Sequence, residues 1–157
     1  MEIEVSREIA APPGEVARLM FDPRRDADWI DNMRLSEVPH QDWLAPGTRI
    51  KRVGSAMGRK LDSTARIEEH VPDRLLRFAF VEGPIEGEVS YTIEPAGEGS
   101  RVTIHDRSRY SFTMMGWMIR QQLDGNLARL AGLVEGRGAA EPLEPASELD
   151  PWGSEPD

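Results

Sequence analysis

Apolar side chains alternate with polar ones through most of the chain up to Tyr110, and beyond it they recur at spacings of three and four. The first period belongs to strands and the second to a helix. Alternating runs bounded by turn-forming residues predict strands near 2–9, 34–39, 47–55, 59–71, 74–82, 86–95 and 100–110. Pro46-Gly47, Pro72-Asp73, Gly83-Pro84 and Ala96-Gly97-Glu98-Gly99 provide the punctuation. The intervening connections are short, which predicts an antiparallel meander, because a parallel crossover needs about a dozen residues or more.

Alternation also sorts the strand faces. Ile85, Val89, Tyr91 and Ile93 oppose Glu86, Glu88, Ser90, Thr92 and Glu94; Leu76, Phe78 and Phe80 oppose Arg77; Leu61, Ala65 and Ile67 oppose Lys60, Asp62, Arg66 and Glu68. One face is therefore apolar and the other wet, the pattern of a sheet covered on one side. The cover is predicted over residues 111–136, where Met115, Ile119, Leu123, Leu127, Leu130 and Val134 form one stripe, with Ser111 as N-cap and Gly136 as stop. In the first half of this helix Phe112, Met114, Met115, Trp117, Met118 and Ile119 are apolar almost all round. Such a segment must be enclosed, pack at an interface or border a cavity.

At 157 residues the chain suits one domain able to bury about 70% of its extended surface. The net charge of −9 changes meaning once located: six acids and no base follow Arg137, leaving −3 on the rest. That near balance argues against a nucleic-acid partner, which requires a concentrated basic patch. Residues 138–157, rich in Pro, Glu, Ala and Ser, read as a disordered acidic tail after a domain spanning 1–137. Trp152 is its one aromatic residue, either a docking element for a partner or neighbouring subunit or, on the plainer reading, an isolated aromatic. There is no cysteine, no run of about 18 apolar residues that would make a transmembrane segment, and no basic and apolar leader at Met1-Glu2-Ile3-Glu4. A cytoplasmic location is expected.

The opening strand (Ile3, Val5, Ile9) breaks at Ala10-Ala11-Pro12-Pro13-Gly14-Glu15-Val16, turns helical and stops at Phe21-Asp22-Pro23, with Trp29 just beyond. Proline suits the start of a helix because the N–H it lacks would be unpaired there. This order, with Gly47-Thr48-Arg49-Ile50, Gly83-Pro84-Ile85-Glu86-Gly87, and Tyr91-Thr92-Ile93-Glu94-Pro95 followed by Gly99-Ser100-Arg101-Val102-Thr103, resembles the START/Bet v1-like superfamily, also called SRPBCC or polyketide cyclase/dehydrase-like proteins. The resemblance covers residues 1 to about 136. It implies an α+β helix-grip fold: a seven-stranded curved antiparallel sheet wrapped around a long C-terminal helix, with two short helices after strand 1 and a ligand cavity between sheet and helix.

Under that fold the inward-facing and cavity-closing positions are Trp29, Ile50, Ile67, Phe78, Phe80, Tyr91, Asp106, Ser108, Tyr110, Met114, Met115, Met118 and Gln122. Trp43 belongs to the same end-closing region, and Met57-Gly58 sits in a turn able to gate entry or simply to close a hairpin. The methionines suit a promiscuous pocket because thioethers adapt to varied shapes; core packing or a homodimer contact is the equal alternative. In the last strand Val102 and Ile104 define an inward face that continues through Asp106, Ser108 and Tyr110. A buried carboxylate suits acid/base work, making Asp106 and Tyr110 the only catalytic candidates. The favoured alternative is an ion pair, since Arg7 has inward parity on the strand expected beside this one. The Arg24, Arg25, Asp26 and Asp28 cluster reads as a solvated helix face.

His40, His70 and His105 are too dispersed for a metal site, and no cofactor motif is present: Gly97-x-Gly99 lies in a hairpin, and no serine occupies a nucleophile elbow. The expected function is binding of a hydrophobic small molecule, whether lipid, polyketide or aromatic compound. The alternative is a polyketide cyclase, aromatase or dehydratase using the polar cavity residues.

Overall fold

The computed structural model describes residues 2–39, 42–56, 58–110 and 115–138. In chain order these form β1 (Ile3–Ile9), α1 (Pro13–Met20), a 3₁₀ turn (Pro23–Arg25), α2 (Asp26–Trp29), β2 (Met33–Glu37), β3 (Arg49–Ala56), β4 (Arg59–Lys60), β5 (Ser63–Val71), β6 (Leu75–Glu82), β7 (Ile85–Ala96), β8 (Gly99–Tyr110) and α3 (Gly116–Gly138). This is the helix-grip fold, a curved antiparallel sheet gripping the C-terminal helix.

The strand order is β1-β8-β7-β6-β5-β3-β2, with β4 paired to β3. First and last strands are neighbours, Ile3 opposite Asp106 and Ile9 opposite Ser100. The chain must then travel from the β1 edge to the β2 edge, and α1, the 3₁₀ turn and α2 make that crossing. Pro12 and Pro13 start α1, and Asp22 caps the turn by accepting from the Arg24 backbone N–H at 3.0 Å.

The strand expected over 59–71 is divided. Lys60 opposite Ser55 and Ser63 opposite Arg52 keep one register against β3, but the ladder is interrupted at Leu61 and Asp62. On its other side β3 meets a bulge in β2 between Met33 and Leu35, against Gly54 and Val53. A bulge bends its strand and increases the local twist, while on the far side the Leu61 N–H still donates to the Gly54 carbonyl at 2.9 Å. Gly54 is needed there, because a Cβ would stand 2.9 Å from the Asn32 carbonyl oxygen.

The inward faces read from alternation are the buried ones. Leu76, Phe78, Val89, Tyr91, Ile93, Val102 and Ile104 join Ile119, Leu127, Leu130, Ala131 and Val134 of α3 in one core. Polar contacts fix the helix: Arg120 donates to the Glu4 carbonyl at 3.0 Å, and Glu135 accepts from the Ala10 N–H at 2.9 Å. The expectations for Ser111 as N-cap, Phe112 and the 138–157 tail with Trp152 fall outside the described residues or at their limit, as do those for His40, Met57 and Met114.

Two exposed glycines, Gly125 and Gly132, interrupt α3 with open space where a Cβ would stand. Glycine costs a helix interior about 0.5–1 kcal/mol relative to alanine through backbone entropy. Gly125→Ala and Gly132→Ala should each raise stability by about that amount in urea melts, and the two gains should add.

Candidate functional site

Between the concave sheet and the first half of α3 lies a cavity of about 120 Å³. Phe78 and Phe80 of β6, Ile85, Val89 and Tyr91 of β7, and Ile104, Asp106, Ser108 and Tyr110 of β8 form its floor. Ile119, Gln122, Leu123 and Asn126 of α3 form its roof, and Trp29 to Met33 with Gly54 and Ser55 form its rim. A second hollow of about 20 Å³ lies beyond it, among Met20, Phe21, Leu44, Ile50, Ile67 and Leu76. Arg52, Phe78 and Tyr91 belong to both walls and so partition the interior.

Of the residues expected at the site, Trp29, Phe78, Phe80, Tyr91, Asp106, Ser108, Tyr110 and Gln122 line the main cavity, and Ile50 and Ile67 line the second. Met115 is 52% exposed and Met118 half-buried, and neither is part of either wall; Ile119 takes the roof position instead. Trp43 lies on a surface hollow with His70, the Arg24 guanidinium 4.1 Å above its ring.

Aromatic rings make the floor continuous. Trp29 meets Tyr91 edge-on at 5.6 Å, Tyr91 meets Phe78 at 5.5 Å, and Phe78 meets Phe80 at 5.7 Å, all in the T-shaped geometry that the ring quadrupole favours. The rim is held from above: Asn126 Oδ1 accepts from the Asp31 N–H at 2.9 Å, and Arg129 donates to the Trp29 carbonyl at 2.7 Å. The Asn126 side chain thus spends its carbonyl on the backbone that follows α2.

Two buried polar clusters border this lining, besides single polar residues such as Ser55, Gln122 and Asn126. The first is on β8, where Asp106 Oδ1 accepts from the Ser108 N–H at 2.8 Å and from Ser108 Oγ at 2.5 Å. The expected Arg7 partner is absent from it: Arg7 is exposed and lies opposite Val102, four residues along β1 from the position facing Asp106. β1 is the sheet edge, where a long arginine side chain reaches water instead of the interior. Burial, and then the nearby Asp106, pushes the Tyr110 hydroxyl up to about 12.

The second group centres on Arg52, which alternation places inward beside Ile50 but which the sequence reading passed over. Its Nη2 lies 3.6 Å from Asp26 Oδ2, both side chains about nine-tenths buried. Asp26, read as part of a solvated helix face, is instead turned inward, because α2 is a single turn lying against β2. Its Oδ2 accepts from Ser36 Oγ at 3.0 Å. Burial pushes Asp26 up to about 6, with Arg52 and Ser36 opposing the rise. Burial drives the Tyr91 hydroxyl well above the usual tyrosine range, and the nearby Arg52 charge opposes the rise. The guanidinium stands 5.1 Å from the Phe78 ring centre and 6.0 Å from that of Phe80. Arg52 Nε and Trp29 Nε1 are buried donors with no acceptor among the described residues. Leaving a buried donor unpaired costs about 1–3 kcal/mol.

The curved sheet, gripped helix and mainly apolar cavity between them define a helix-grip protein of the START/Bet v1-like class. The chain belongs to the family described as polyketide cyclase / dehydrase and lipid transport, whose profile matches residues 1–135. Among solved structures it is similar to TTHA0849 from Thermus thermophilus, at 25% identity and TM-score 0.68 over 85% of this chain and 97% of that one. A START superfamily protein from Mycobacterium smegmatis matches at 14% identity and TM-score 0.68, over 87% of this chain and 95% of the other. Ara h 8.0201 matches at 15% identity and TM-score 0.63, over 87% and 99%. No curated protein sequence matches the chain. Among the described residues no helix is long and apolar enough to cross a membrane.

The raised Asp26 gives stability a defined pH dependence. Below about pH 4 its carboxyl is protonated in both folded and unfolded chains. Between pH 4 and 6 the folded state keeps a proton that the unfolded state releases, so stability falls as pH rises, by about 2–4 kcal/mol in all, and then levels. The stability difference between wild type and Asp26→Asn, from urea melts at pH 4 to 7.5, should shrink or reverse in that direction across that window; a difference independent of pH would contradict the assignment. On β8, Asp106→Ala should cost about 1–3 kcal/mol by stripping Ser108 of its acceptor. Arg7→Met should stay within about 0.5 kcal/mol, as a surface change does, and the double mutant should be additive.

Proposed function

We propose that the protein binds a hydrophobic small molecule in the cavity beneath α3. The observation that carries this is the space between sheet and helix itself, with mainly aromatic and aliphatic walls and buried polar groups at Asp106, Ser108 and Arg52. Apolar burial supplies affinity in such a site, and a few fixed polar groups supply orientation. A cavity of about 120 Å³ approaches the roughly 150 Å³ known to hold benzene. The reading is therefore a compact aromatic compound or a short acyl group, with longer lipids or multi-ring polyketides requiring the roof to lift.

Binding fits these groups better than poly-ketone cyclisation does. Tyr91 and Tyr110 stay protonated at neutral pH and serve as donors. Asp106 is already bonded to Ser108, and among the described residues the main cavity wall holds no histidine. Asp106 and Tyr110 are assigned to orienting the ligand rather than to moving protons.

Calorimetric titration with acetophenone, a neutral single-ring ketone, tests this reading. Wild type should bind one equivalent. Leu123→Trp, which fills the cavity from the roof, should weaken binding by about tenfold or more while the far-UV circular dichroism is retained. Unchanged binding in Leu123→Trp would place the probe elsewhere, and no binding to wild type would refute the reading.

A further inference from the structure

An arginine in the wall of an apolar cavity needs a reason, and its partners in the fold leave much of its capacity unused. The guanidinium carries five N–H donors arranged as a fork that matches a carboxylate. A pair built only for stability would close that fork on Asp26. Here the nearest Arg52–Asp26 approach is 3.6 Å, beyond hydrogen-bond length, and the same Asp26 oxygen is taken by Ser36. Among the described residues Arg52 Nε has no acceptor, and neither has Trp29 Nε1. Both residues share this end with Tyr91: Trp29 meets its ring edge-on at 5.6 Å, and Arg52 lines the same two walls as Tyr91. This end of the cavity is rich in donors and short of acceptors.

We propose that Arg52 is the anchor for the carboxylate of an otherwise apolar ligand, and that it sets the site's preference for organic acids over neutral compounds of the same shape. The proposal rests on the binding function above and names the ligand class. The acid's oxygens supply the missing acceptors, Arg52 supplies the charge, and the Phe78 and Phe80 rings flank the adjoining apolar body. Asp26 competes with the incoming carboxylate for the same cation. The resident pair then holds the guanidinium in place without saturating it.

The test compares benzoate with acetophenone, which replaces the carboxylate by an acetyl group of nearly equal size, by calorimetry at pH 7.5. Wild type should prefer the acid by about tenfold, the scale of one charge-assisted hydrogen bond. Arg52→Met should abolish that preference while retaining the ketone, and Arg52→Lys, which keeps the charge but not the fork, should retain part of it. Asp26→Asn removes the competitor and should widen the preference severalfold, so the idea stays exposed to refutation even where Arg52→Met folds poorly. A merely structural Arg52 would move both affinities together and leave their ratio alone. Equal binding of the two compounds to wild type, or a ratio unmoved in Arg52→Lys and Asp26→Asn, overturns the anchor and leaves the binding function standing. Failure of both compounds to bind removes the binding function and the anchor with it.

Discussion

The apolar face of the sheet is wider than the helix that covers it. Seven strands at about 4.8 Å spacing span roughly 30 Å, whereas a helix with its side chains is about 10–12 Å across. No straight packing of α3 on a flat sheet could bury that face. The sheet therefore curls around the helix, and the crossing from β1 to β2 through α1 and α2 fills one end. Where neither the curl nor the short helices reach, beneath Ile119 to Asn126, the space stays open. The cavity follows from this mismatch, and the Asn126 and Arg129 contacts to the segment after α2 keep its rim from collapsing inward.

An open space lined by rings needs little polar support, yet this one holds two buried carboxylates and an arginine. They are handled differently. Asp106 is bonded within its own strand, by the backbone and hydroxyl two residues on, so β8 carries it without help from another element. Asp26 and Arg52 come from α2 and β3 and meet only because those elements are brought together at the rim. Burying such a pair rarely adds net stability, since desolvation offsets the attraction. Together with the unpaired Arg52 and Trp29 donors, this makes the α2–β3 junction a costly part of the interior and gives it a role in recognition under the proposed function.

Much of this architecture was legible residue by residue. The inward faces of β6, β7 and β8 followed from alternation alone, and so did the α3 stripe through Ile119, Leu127, Leu130 and Val134, because burial on one side imposes a period of two on a strand and near 3.6 on a helix. The same parity carried Asp106, Ser108 and Tyr110 into the cavity and marked Arg52 beside Ile50, a signal that was present and went unused. Parity failed at Arg7, which has an inward position but sits on an edge strand, where a long side chain escapes to water. It also overreached at Met115, whose place on the stripe falls before α3 begins at Gly116 and beyond the end of the sheet's cover.

Residue order along each element settled which faces are apolar, where the turns fall, and that a single long helix must close the sheet, since each of these is a local consequence of side-chain pattern. What meets across elements was left to the packing. Asp26 looks like one charge among four on a short helix, and only the seating of α2 against β2 and β3 turns it from solvent toward Arg52. The partner of Asp106 likewise depended on strand register, which places Arg7 opposite Val102 and leaves Ser108 as the donor. Pairing, cavity volume and the shifted Asp26 proton depend on distances between segments far apart in the chain, and no local pattern encodes those distances.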